Sequence, residues 1–307
     1  MLNENQKGLL AAITANVIFG INTSISKSLF NGNWMTPIGY TYSRLIFGLV
    51  VFWILGLFKE KEKIVPGDLL IIMIGGFLGI AGAQITFFSA LQYTTPVTMS
   101  LLSALGPIIV LLLSALFLKD PVSLKKAIGV IFGISGAALV VLKNGSSGAS
   151  SNSALGISLA FASLMCNSTY LIMIRKVAGK YNLLTLMKWM FLVSAIILTP
   201  FGITDLPKQR VFTSEVTMAA IFQFVYILVL TNVIGLLLIP FALKRIKATS
   251  VSMCANLQLL TASLVATLIG QDYFSWDKLV AMILIISGVF IVTQSKSGKN
   301  SIIAANH

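Results

Sequence analysis

The chain has 307 residues, of which 57% are apolar and only 10% charged, with a mean hydropathy of +0.93. A soluble domain carries about 25% charged residues, so a soluble enzyme, a disordered regulator and a disulfide scaffold are all excluded. What remains is an all-α, polytopic membrane protein. The 22 basic residues against 9 acidic ones give a net charge of +13. No separate basic domain holds that excess, so nucleic acid is not an expected partner. It reads instead as the basic bias of short cytoplasmic connections. Cys166 and Cys254 both lie inside apolar runs and read as small core residues.

A bilayer core of about 30 Å takes about 20 helical residues. Ten runs meet that length, at roughly 8–29, 36–58, 68–92, 96–118, 124–142, 154–174, 183–203, 216–243, 249–269 and 276–295. Helices are expected because every backbone amide must be satisfied within lipid. The first run continues to Leu29 without a small-residue cleavage site and reads as a span, not a removed signal.

The connections test the count. With the N-terminus inside, the inner ones hold Lys7; Lys59, Lys61, Lys63; Lys119, Lys125, Lys126; Arg175, Lys176, Lys180; Lys244, Arg245, Lys247; and Lys296, Lys299. The outer ones hold only Lys143, Lys208, Arg210 and Lys278. This alternation predicts ten spans in the cell (inner) membrane with both termini cytoplasmic.

A Gly/Ser-rich stretch at 146–152 reads as a linker between two five-span units, 1–145 and 153–295, followed by a polar cytoplasmic tail at 296–307. The halves resemble each other. Shifted by 152 residues, Asp120 falls on Asp272 and Ser135-Gly136 on Ser287-Gly288; shifted by 148, Gly8 falls on Gly156 and Lys27 on Arg175. Five is odd, so the second unit is expected upside down relative to the first. Inverted repeats are a signature of secondary transporters, which they supply with two pseudo-symmetric states.

Phe19-Gly20-Ile21-Asn22 and Lys27 on the first span, Arg44 on the second, Gly106-Pro107 on the fourth, Asp120 after it, and Gly129 and Gly136 on the fifth form an ordered set. By this set the chain resembles the EamA-type transporters of the drug/metabolite transporter superfamily over nearly its whole length. Members usually have Trp at Phe19 and Glu at Asp120, and in the second half Leu259 stands where Pro107 does in the first. The resemblance implies a ten-helix carrier, often an exporter of metabolites or amino acids, with a central cavity between the repeats.

No Asp or Glu lies in the middle of a span, and the one His is His307. Carboxylate or histidine proton relays therefore have no mid-span candidate, and Asp68, Asp120 and Asp272 at span ends are the exceptions to test. Facilitated diffusion, exchange, or coupling through backbone and amide groups is the expectation. Arg44 is the deepest charge, either an anion-binding group or bonded to carbonyls and headgroups. Lys27 and Lys188 (the latter beside Trp189) read as interfacial or snorkelling, with a substrate role open for Lys188.

Ser100, Ser103, Pro107 and Ser114 share one helical face, as do Ser252, Asn256, Leu259 and Ser263, Asn22 and Ser26, and Asn167 and Tyr170. Most of the serines fit ordinary interhelical packing. Amides have several bonding groups to satisfy, which makes Asn22, Gln84, Asn167, Asn232, Asn256 and Gln258 the cavity candidates. Ser103, Tyr170, Arg44 and Lys188 complete the candidate substrate site, and Pro107 is the candidate hinge.

No nucleotide, metal or acid/base motif appears, so no cofactor and no enzymatic activity are expected. The sequence favours a carrier of small polar or amphipathic metabolites, amino acids first, acting as an exporter, facilitator or exchanger by alternating access. Carriers of phosphorylated or nucleotide-type solutes, and a channel or scaffold without carrier activity, are the alternatives. The expected partners are the lipid bilayer and a small-molecule substrate; the oligomeric state is not encoded in these patterns.

Overall fold

The computed structural model describes residues 3–58, 62–118, 123–146, 153–174, 176–177, 179–243, 245–246, 248–273 and 275–294. Residues 147–152 of the 146–152 linker, Asp120 and the tail fall outside the described residues, as do the side chains of Ser252 and Asn256. Every regular element among the described residues is a helix, with no strand among them.

In chain order, α1 is Glu4–Asn31 and α2 is Pro37–Leu57. Helix α3 joins Pro66–Gly76, a π-helical Phe77–Gly82 and Ala83–Tyr93. Helix α4 runs as Pro96–Ser103 and Gly106–Leu118. Then come α5 (Leu124–Ser146), α6 (Ser153–Ile174) and α7 (Leu183–Asp205). Helix α8 joins Met218–Val225, a π-helical Tyr226–Gly235 and Leu236–Leu243. Helices α9 (Ala248–Leu268) and α10 (Trp276–Gln294) close the chain. Seven of these rods, α1 to α4 and α6 to α8, are long and apolar enough to cross a membrane. The molecule is a polytopic membrane protein.

The helix starts follow local chemistry. Thr36 accepts from the Gly39 amide ahead of Pro37, and Thr95 from the Thr98 amide ahead of Pro96. A hydroxyl cap followed by proline satisfies one orphan donor and removes another. Thr217 Oγ1 and Asn182 Oδ1 accept from the Ala220 and Leu184 amides at the starts of α8 and α7, without a following proline.

Contacts fix the relative directions. From α2 to α7, Tyr42 meets Gly202, Gly48 meets Phe191 and Gly56 meets Lys188, so these helices are antiparallel. From α3 to α6, Gly75 meets Ile174, Gly79 meets Tyr170 and Gly82 meets Cys166, again antiparallel. Helix α1 runs against α8, with Gly8 at Ala242 and Phe19 at Gly235, and alongside α9, with Gly20 at Gln258 and Ser24 at Ala262. Helices α5 and α10 form the most extensive pair and cross backbone to backbone. A Cβ added at Gly136 would sit 2.9 Å from the Ala281 carbonyl oxygen, and one at Gly288 would sit 2.5 Å from that of Gly129. Small residues set such crossings because lipid gives apolar side chains no preference for one another.

Among the described residues the apolar interior gathers in two large clusters and a small one around Ala11, Ala12, Ala242 and Cys254. One surrounds Phe30, Tyr40 and Phe88, whose rings pack edge-on or tilted at centroid separations of 4.4 to 6.2 Å. The other lies between α2, α3 and α7 around Phe52, Ile72, Met190 and Phe191.

Candidate functional site

Polar side chains converge where α1, α2, α3 and α8 meet. Asn22 of α1 accepts at Oδ1 from the Tyr40 hydroxyl at 3.2 Å and from Thr231 Oγ1 at 3.3 Å. Ser26 Oγ lies 2.7 Å from both the Tyr40 hydroxyl and the Asn22 carbonyl oxygen. The Ser26 and Tyr40 protons thus serve three contacts, and the pair can switch acceptors without moving a heavy atom.

Arg44 follows Tyr40 by one turn on α2 and is 5% exposed. Its guanidinium lies 5.5 Å from the Tyr40 ring centroid and 5.2 Å from that of Phe88, a cation–π arrangement. No carboxylate among the described residues pairs with it, and its Nε is buried without a hydrogen-bond partner. Asn232 of α8 donates from Nδ2 to the Arg44 main-chain carbonyl at 2.9 Å, while its own Oδ1 is buried and unpartnered. Gly48 makes that reach possible, since a Cβ there would sit 2.9 Å from Asn232 Nδ2. The π-helical turn of α8 turns Thr231 and Asn232, adjacent in sequence, both inward, at 1% and 0% exposure. Such single-turn expansions are frequent at functional sites.

Gln84 stands one turn before Phe88 on α3 and therefore on the same face; its Oε1 is buried without a partner. Thr41 Oγ1 and Ser100 Oγ are in the same condition. Each unpaired buried polar atom costs about 1–3 kcal/mol. The guanidinium Nε on α2 and the amide oxygens of Gln84 on α3 and Asn232 on α8 thus leave one donor and two acceptors unspent on three adjoining helices.

The other expected residues are placed as follows. Pro107 follows a break. Helical order stops at Ala104 and Leu105, and Ile108 and Ile109 both donate to the Leu105 carbonyl. Proline has no amide for the Ser103 carbonyl, which accounts for the break. A Cβ at Gly106 would meet nothing within 4 Å, so the break borders open space. Helix α9, with Leu259 at the corresponding position, is continuous. Ser103 donates to the Met99 carbonyl at 2.7 Å, a local bond. Tyr170 packs on Gly79. Lys188 lies 5.6 Å from the Trp53 ring centroid and against Gly56. Those positions are nine and twelve residues beyond Arg44, about 13 and 18 Å along α2. Gln258 is half-buried, and its carbonyl oxygen faces Gly20. Lys27 meets protein carbonyls. It donates to the Leu91 and Gln92 carbonyls at 2.8 and 3.0 Å, capping the last turn of α3, where the helix dipole favours a cation.

Asn167 marks an opening. Ala160, Leu164, Asn167 and Leu171 form one stripe on α6 by their spacing. The first two are buried and the last two exposed, so the inward face of α6 borders open space toward its Ile174 end. The opposite end is closed. Gln209, 1% exposed after α7, accepts from the Thr36 amide at 2.7 Å and donates to Asp205, whose carboxylate also takes the Thr36 hydroxyl. Gln271 donates to the Ser24 carbonyl at 3.0 Å, and Gln223 to Ser28 at 3.3 Å.

Tyr40, Phe88, Thr231 and Gln209 did not stand out in the sequence. The one available signal was spacing, since Tyr40 precedes Arg44, and Gln84 precedes Phe88, by one helical turn.

Comparison with known proteins bears on the same architecture. The profile of the EamA-like transporter family matches the chain twice, over residues 6–142 and 154–294. An uncharacterized transporter of Methanothermobacter thermautotrophicus is 25% identical over 309 residues, covering 93% of this chain and 85% of its own. The uncharacterized transporter YyaM of Bacillus subtilis is 24% identical over 215 residues, 70% of each chain. A solved crystal structure superposes with a TM-score of 0.60 at 18% identity, covering 94% of this chain and 98% of its own, and so shares the fold. With both halves matched by one profile, the chain belongs to the EamA-like transporter family and is a membrane transporter of small molecules.

Proposed function

We propose that the chain is a secondary transporter of small polar or amphipathic metabolites, amino acids first, built as two inverted five-helix repeats that rock about the Arg44 crossing. The observation that carries the substrate class is a buried guanidinium whose Nε is unspent, with the unpartnered amide oxygens of Gln84 and Asn232 on the two adjoining helices. A cation for a carboxylate and oxygens for an ammonium suit a zwitterion. Among the described residues this crossing has one buried cation, fewer than a phosphorylated or nucleotide-type solute calls for.

Several observations support the repeats. The family profile matches each half separately. Helices α2 and α7, equivalent under a shift of five helices, are antiparallel, and so are α5 and α10. The helix pairs map onto one another under the same shift: α1 with α9 onto α6 with α4, and α3 with α6 onto α8 with α1. The equivalent helices α3 and α8 each contain a π-helical stretch. Gly8 meets Arg245 and Ile246, and Gly156 meets Tyr93 and Thr94. With both termini cytoplasmic, as the charge alternation indicates, the Gln209 closure is external and the Asn167 opening internal. This is the geometry of an inward-facing carrier of the cell membrane.

Counterflow in proteoliposomes tests the reading. Saturable uptake of labelled amino acid is expected to accelerate when substrate is trapped on the far side, which a channel or scaffold does not produce. Arg44→Ala removes a charge-assisted hydrogen bond worth about 1.5–3 kcal/mol. It should weaken a zwitterionic substrate roughly tenfold to a hundredfold more than a neutral one. Equal loss for both would overturn the assignment of Arg44 to the substrate carboxylate.

A further inference from the structure

Away from the polar crossing, α4, α5 and α6 enclose a crevice of about 480 Å³ whose lining is wholly apolar. Its deep part is formed by Leu105 and Ile108, beside the break in α4, and by Ala137 of α5, all at most 6% exposed. Its rim is formed by Leu112 and Ile134, 41% and 54% exposed. The volume is that of a small-ligand site, yet no lining side chain can donate or accept a hydrogen bond. A polar solute would lose its hydration there without compensation. None of the lining residues belongs to the Arg44 cluster.

The rim continues into the bilayer-facing surface of the same helices, where Leu116, Phe117 and Ile131 are 71%, 69% and 62% exposed. The other half of the chain is built differently at the matching place. Gly136 meets Ala281 and Ile285, and Gly288 meets Gly129 and Gly133; a shift of 152 exchanges these contacts. Under that shift Ala137-Ala138 correspond to Val289-Phe290. Two methyl groups stand in the first half where the second carries an isopropyl and a phenyl group, and only the first half has the broken helix.

We infer that this crevice is a binding site for one acyl chain of a bilayer lipid, seated against the break in α4. The apolar lining matches a hydrocarbon chain, the rim opens onto the surface where such chains already lie, and the missing side-chain volume is what the chain replaces. The inference rests on the membrane placement of the helices and not on the proposed substrate.

Proteoliposomes containing phosphatidylcholine with a diazirine in mid-chain test it, with irradiation followed by peptide mass spectrometry. Labelling at Leu105–Leu112 and Ile134–Ala138 should exceed several-fold that at Leu264 and Ile283, ordinary exposed positions on α9 and α10. The double variant Ala137→Val, Ala138→Phe, which installs the side chains of the other half, should lower crevice labelling at least fivefold and leave Leu264 and Ile283 unchanged. Leu112→Trp at the rim should do the same and stands in if the double variant fails to fold. Equal labelling of crevice and exposed positions, or labelling that neither variant lowers, would overturn the site. Displacement of the label by excess leucine would also overturn it, by making the crevice part of the solute path.

Discussion

Gly48→Ala probes the Arg44 crossing without touching a charged group. The new Cβ would lie 2.3 Å from Phe191 Cε1, 2.7 Å from its Cδ1 and 2.9 Å from Asn232 Nδ2. Phe191 is 1% exposed and packs at a tilt against Phe52 with centroids 5.1 Å apart, so it has little room to yield. Overpacking of this kind costs about 1–3 kcal/mol. The Asn232 to Arg44 carbonyl hydrogen bond would lengthen or break at a further cost of about 0.5–1.5 kcal/mol. The expected destabilisation is therefore about 2–4 kcal/mol, read from equilibrium unfolding in mixed micelles. Part of it should act through Asn232. On an Asn232→Ala background the same substitution should cost about 1 kcal/mol less, a coupling that a double-mutant cycle resolves. A Gly48→Ala protein as stable as the parent, or one whose loss is identical on both backgrounds, would refute the geometry.

Other outcomes follow from individual contacts. Pro107→Ala restores an amide for the Ser103 carbonyl; α4 should become continuous, with stability kept or raised and counterflow slowed at least tenfold, and unchanged counterflow would remove Pro107 as a hinge. Lys27→Met leaves the Leu91 and Gln92 carbonyls uncapped and should cost about 1–2 kcal/mol, whereas a lysine that merely snorkelled would cost nothing measurable in the same unfolding assay. Gly288→Ala drives a methyl group into the α5 backbone on two sides and should cost roughly 3 kcal/mol; a cost below 1 kcal/mol would mean that α5 and α10 are not in backbone contact.

The helices were legible because lipid imposes one requirement on every span. An apolar run such as Leu183–Asp205 or Pro37–Leu57 has no alternative to a helix. The π-helical stretches were not legible. A shift from i+4 to i+5 bonding leaves Phe77–Gly82 and Tyr226–Gly235 as apolar as any α-helical turn, and what sets them apart is their packing against α1, α2, α6 and α7. Within the crossing, Asn22, Arg44, Gln84 and Asn232 drew notice because amides and guanidinium are expensive in lipid. Tyr40 and Phe88 did not, since an aromatic in a span looks the same whether it faces a cation or an acyl chain. Asn167 and Ser103 stand apart from the crossing. Their polarity was visible, but one borders the opening and the other is satisfied by its own helix, which depends on burial and not on residue type.

The contrast between α4 and α9 has an energetic consequence for a carrier of the kind proposed. Two halves with identical central helices would give the two access states equal free energy, and an empty carrier would spend half its time facing each way. Here one helix is jointed after Ser103 and its counterpart is a stiff rod through Leu259. Bending is cheap on one side and dear on the other, so the degeneracy is lifted. In such a carrier the bias would not drive net movement against a gradient, but it would contribute to which compartment the unloaded protein waits on, through the residue type at one pair of matched positions, 107 and 259.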